Sequence, residues 1–108
     1  MSLENTEIID ALGADASNGQ IVLTIIDDWN WEDQRAHLRA LQSKINAYLA
    51  FVESNQIAEV EPTWRDKGAR LEVIFKHSPS QDAIALLKTA EFVARPLDLN
   101  VSYREHQS

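Results

Sequence analysis

The segment Gln20-Ile21-Val22-Leu23-Thr24-Ile25-Ile26-Asp27, followed at once by Asp28-Trp29-Asn30-Trp31-Glu32-Asp33, decides how this chain is read. The first part is aliphatic and β-branched, which suits a strand. Ile21, Leu23 and Ile25 share one side of an extended chain, and Val22, Thr24 and Ile26 share the other. Apolar residues on both sides predict a central strand covered twice. The second part reads as a helix start. Asn30 supplies a cap, and Glu32 and Asp33 complement the helix dipole in the first turn. The predicted helix runs from about Trp31 to Ser54, with Leu38, Leu41, Ile45, Tyr48, Leu49 and Val52 as its apolar stripe. Asn55 ends it in a left-handed conformation.

Upstream, Thr6 to Ala14 predicts a first strand. It joins the central one through Asp15-Ala16-Ser17-Asn18-Gly19, where Asn-Gly tolerates a hairpin's positive φ. Downstream, Gln56 to Glu61 reads as a short strand that Pro62 confines to an edge, and Asp66-Lys67-Gly68 as a turn. Arg70 to His77 alternates, with Leu71, Val73 and Phe75 inward. Ser80 caps a second helix with Ile84, Leu87, Ala90, Val93 and Ala94 on its buried side, and Pro96 stops it. Leu97, Leu99, Val101 and Tyr103 then alternate with polar residues in a last strand.

The predicted order is β-β-α-β-β-α-β. It describes a two-layer α+β sandwich, a mostly antiparallel sheet with two helices on one face. Without its first strand this is the order of a ferredoxin-like domain. A hairpin partner on the central strand conflicts with that arrangement, so the strand order stays open.

The chain has 108 residues, enough for a single domain and one modest core. It has no cysteine, which excludes disulfides and thiolate chemistry. Its acidic, polar start does not resemble a secretory signal, and no apolar run is long enough to span a membrane, so a cytoplasmic location is expected. Eight of the seventeen carboxylates precede Arg35, the first basic residue. The nine that follow nearly balance the ten bases, so the net charge of −7 belongs to the first third. Such a surface repels phosphate and attracts cationic partners, which argues against nucleic acid and for a protein with a basic surface.

The densest polar cluster is the candidate binding site: Asp27, Asp28, Trp29, Trp31, Glu32, Asp33 and, one turn on, His37. Carboxylates around two indoles can hold a cation or a basic side chain. They can equally be an ordinary helix N-terminus with tryptophans shielding a core edge. Asp28-x-Asn30-x-Glu32 resembles the opening of a calcium loop, but Asp33 stands where glycine is needed and Arg39 where glutamate is needed. Asp33 and His37 share a helix face, either as half of a metal site or as a local hydrogen bond. Gln42, Lys44 and Asn46 flank the long helix's stripe, with the lysine stem covering it. There is no Gly-x-Ser-x-Gly elbow and no His-Glu-x-x-His pair. With three glycines a phosphate cradle has no material. No catalytic residue, metal or cofactor is expected.

Val22-Leu23-Thr24-Ile25-Ile26-Asp27, Trp31, His37-Leu38, Leu41-Gln42, Lys44-Ile45-Asn46, Tyr48-Leu49-Ala50-Phe51 and Glu53-Ser54 together resemble a group of small bacterial proteins classed as a domain of unknown function. Glu4-Asn5-Thr6 and Ile9-Asp10 fit as well. The resemblance covers most of the first sixty residues and continues through Ile74-Phe75-Lys76. It implies a bacterial source and a single domain, and it supplies no activity.

Two functions remain open. One is a non-catalytic interaction protein, inhibitor- or immunity-like by analogy of charge. The other is a small enzyme or metal-binding protein using Asp28, Glu32, Asp33 and His37. The central strand's second apolar face, joined by Ile74, further predicts a homodimer through the open sheet face or an adjoining strand edge.

Overall fold

The computed structural model describes residues 11–106. They form four strands, β1 (Ala11–Ala14), β2 (Ile21–Asp27), β3 (Ala69–Phe75) and β4 (Leu99–Glu105), with helices α1 (Gln34–Glu53), α2 (Ile57–Val60), α3 (Trp64–Lys67) and α4 (Gln81–Ala94). The expected first strand is seen as β1; its predicted start, Thr6 to Asp10, lies outside the described residues.

The β1–β2 hairpin forms as its turn chemistry predicts. The Asp15 carboxylate accepts from the Ser17 N–H at 2.8 Å, Asn18 accepts from the Gln20 N–H at 2.8 Å, and Gly19 takes a φ of 74°.

The sheet is mixed, in the order β1-β2-β3-β4. Antiparallel pairing holds at the hairpin. It is corrected elsewhere: β2–β3 and β3–β4 are parallel. The cause lies in residues 56–61. They form α2, a single turn burying Ile57, and not a strand. A ferredoxin-like order needs a strand there. Without one, β2-α1-β3 and β3-α4-β4 are two successive crossovers, and crossovers join parallel neighbours.

One face of the sheet carries the core. Ile21, Leu23 and Ile25 of β2 and Leu71, Val73 and Phe75 of β3 pack with Leu41, Ile45, Tyr48 and Val52 of α1 and Ala83, Leu87 and Ala94 of α4. Ile84 is only half-buried and Val93 exposed, so the buried side of α4 is narrower than expected. Among the described residues no helix covers the other face, yet Val22, Thr24, Ile26 and Ile74 are half-buried. Long side chains run along it. Arg70 reaches Asp15 at 3.0 Å and Gln20 at 2.8 Å, and Arg104 reaches Glu72 at 3.4 Å.

Two caps differ in their outcome. Ser80 caps α4 as expected, accepting from the Ala83 N–H at 3.2 Å. α1 begins three residues later than predicted, and its cap is Asp33, which accepts from the Ala36 N–H at 3.1 Å. Asn30 instead closes a turn of its own on the Glu32 N–H at 3.0 Å. At the far end, Asn55 takes the expected left-handed conformation with a φ of 65°.

Candidate functional site

The strand–helix junction is built around a carboxylate that the alternation of β2 turns inward. Asp27 sits on the same face as Ile21, Leu23 and Ile25 and is fully buried. An isolated buried charge is costly, so this position demands a partner. His37, in the first turn of α1, provides it. Its Nε2 lies 2.7 and 2.6 Å from the two carboxylate oxygens, and its Nδ1 lies 2.9 Å from the Asn30 carbonyl oxygen.

A carbonyl only accepts, so Nδ1 carries a proton and donates it. One further proton sits between Nε2 and Asp27. The unit therefore has no net charge, whichever partner holds that proton. Burial pushes the Asp27 carboxyl above its ordinary value; the hydrogen bond and charge of His37 and the N–H of Trp29 at 3.1 Å oppose this.

Tryptophans close the dyad. Trp31 stacks on the imidazole with ring centroids 3.5 Å apart and planes 20° apart, and Trp29 leans over it at 5.7 Å. Trp31 also meets Phe75 of β3 at 6.5 Å, which ties the lid to the core. Among the described residues its buried Nε1 has no hydrogen-bond partner.

The remaining predicted residues go elsewhere. His37 pairs with Asp27 and not with Asp33, whose carboxylate is occupied as the cap of α1. Asp28, Glu32 and Asp33 are exposed and line a hollow of about 340 Å³ with Trp29, Asn30 and Ala36. Among the described residues, no three His, Asp or Glu side chains converge as a metal site. His77 and His106 are exposed.

Chemically, the dyad has no free ring nitrogen to offer a substrate, because both face protein acceptors or donors. It fastens the end of β2 to the start of α1. The acids outside it form a hollow of one charge sign.

The sequence matches a family of unknown function, DUF6572, over residues 1–107. The chain belongs to that family. No curated protein and no solved structure matches it. For this member of DUF6572, the geometry of the junction therefore carries the functional argument.

Sequence reasoning missed one contact and one buried residue. It did not pair Asp27 with His37, although an acid at an inward position of a central strand was the available signal. It also left Lys44 at the flank of the α1 stripe. Lys44 is instead fully buried, with Nζ 5.8 Å from the centroid of the Tyr48 ring. Tyr48 donates its hydroxyl to the Thr24 carbonyl at 2.8 Å, so α1 is also fastened to the middle of β2.

Proposed function

We propose that the protein is a cytoplasmic bacterial interaction module, non-catalytic, that docks a partner with a basic surface on the hollow between Asp28, Glu32 and Asp33. The observation that carries this reading is the division of labour at the junction. Among the described residues, the one pair with the chemistry of a base and its orienter is sealed and internally satisfied, while the carboxylates around the hollow reach solvent. His37 was the fourth member of the metal-binding alternative, and it is turned away from the other three.

Trp29 borders the same hollow and offers an aromatic face beside the acids, an arrangement suited to lysine or arginine side chains. Charge of this kind sets association rate and partner choice more than affinity. An inhibitor or immunity role would use such a surface, by analogy of charge alone.

The test compares the native chain with a variant carrying Asp28→Asn and Glu32→Gln, both exposed positions, in affinity capture from the native lysate. The expected result is a basic partner held at low salt, released at high salt and lost from the variant. A partner retained equally by the variant, or none at either salt, contradicts the reading.

A further inference from the structure

We infer that β4 is the seam of a two-fold homodimer, in which β4 of a second copy pairs antiparallel with it and extends the sheet. This goes beyond the docking function and does not depend on it. Among the described strands β4 is an outer one, at the opposite end of the sheet from β1. Edge strands are normally blunted by bulges, prolines, shortness or charged side chains. β4 runs Leu99–Glu105 without proline, stays in continuous register with β3, and carries charge only at its last two residues, Arg104 and Glu105.

The hydrogen-bonding parity is readable. His106 donates its N–H to the Phe75 carbonyl at 2.7 Å, so the even-numbered residues of β4 bond inward to β3. The odd-numbered residues, Val101 and Tyr103 among them, turn their N–H and C=O groups outward. A two-fold axis through Ser102 sets Val101 opposite Tyr103 of the second copy, and Leu99 opposite Glu105. These pairs and their symmetry mates carry two bonds each, about eight in all.

Side chains fit the same register. Val101 and Tyr103 lie on the helix-bearing face, where Val101 is half-buried and Tyr103 is 43% exposed. A hollow of about 320 Å³ remains between them and Ile84, Lys88 and Glu91 of α4. An aromatic side chain opposite a β-branched one is a favourable cross-strand pair. On the other face Arg104 meets Asn100, so no like charges stand opposite one another. Lys88 and Glu91 give the rim of the hollow both signs, so a second copy meets no field of its own charge. Phe92 of α4, 73% exposed, is a further large apolar side chain on the surface.

The register makes the test specific. The chain has no cysteine, so a single introduced one reports its own neighbour. Ser102 is exposed, and across the axis it faces Ser102 at roughly 4.5 Å between Cα atoms, within disulfide range. Under mild oxidation Ser102→Cys is expected to cross-link most of the protein, while Arg104→Cys, offset from its symmetry mate, cross-links little. Sedimentation of the unmodified chain at roughly 100 µM is expected to show a dimer, since small interfaces give dissociation constants on the order of micromolar. The double variant Val101→Lys with Tyr103→Lys is expected to be monomeric and to pair with Val101→Glu, Tyr103→Glu when mixed. A native chain that stays monomeric at that concentration overturns the inference and leaves the edge to another protein's strand. A dimer in which Arg104→Cys cross-links as well as Ser102→Cys overturns it too, because the contact would then lie elsewhere.

Discussion

Asp27 and His37 are each nearly inaccessible to solvent, at 0% and 1% exposure, and each satisfies the other. Removing one partner strands the other. His37→Ala leaves a buried carboxyl facing a void, and such changes cost about 3–5 kcal/mol. Asp27→Asn is milder. An amide can donate to Nε2 while Nδ1 keeps its proton on the Asn30 carbonyl, so the loss should be about 1 kcal/mol, the worth of one ordinary hydrogen bond. Urea unfolding of the two variants checks this ordering; equal losses, or none, would contradict a structural dyad. A second carboxylate acts in the opposite sense. Asp15 is lowered from 3.8 to about 2, first by the Ser17 hydroxyl and N–H and then by Arg70. A depressed folded value means stability present above the unfolded value and lost as pH falls from about 4 through about 2. NMR titration of Ser17→Ala should move the Asp15 midpoint back toward 3.8, and an unmoved midpoint would remove Ser17 as the main cause.

At the scale of elements, legibility followed the strength of the periodic signal. β2, β3 and the body of α1 were readable because seven or more residues repeat one pattern. Residues 56–61 were not. Ile57-Ala58-Glu59-Val60 does not alternate, and Ile57 and Val60 are three apart; four residues are too few for periodicity to separate a short strand from one turn of helix with Ile57 inward. That one element decided the topology, since its loss as a strand turns antiparallel neighbours into parallel ones. The two assignments give different mutational profiles. Ile57 is fully buried and Val60 is 60% exposed. Ile57→Ala should cost about 2–4 kcal/mol, and Val60→Glu less than about 0.5 kcal/mol. A large loss at Val60 in thermal or chemical unfolding would contradict the helical turn. The start of α1 was misplaced because Asn30 and Asp33 are both good caps; Asp33 is the one that caps the helix, while the Asn30 carbonyl accepts from His37.

For the whole molecule, the sequence conveyed the layers better than their connections. Two helices on one face, a hairpin at the start and an acidic first third were all legible in local patterns. Parallel pairing was not, because it joins segments whose spatial relation depends on the crossover; the Asp27–His37 contact was signalled only by an acid at an inward position of β2. The candidate site was half-legible in the same way. The named residues lie together at the β2–α1 junction, but their division into a sealed dyad and a solvent-facing acidic rim needed the orientation of β2. Exchange of the His37 ring proton with water tests that division. In nitrogen-edited NMR at neutral pH, a sealed dyad gives a protonated Nδ1 whose proton exchanges only as slowly as global unfolding allows. A ring N–H that exchanges rapidly in the folded protein would show an open dyad, available for chemistry, and would contradict it.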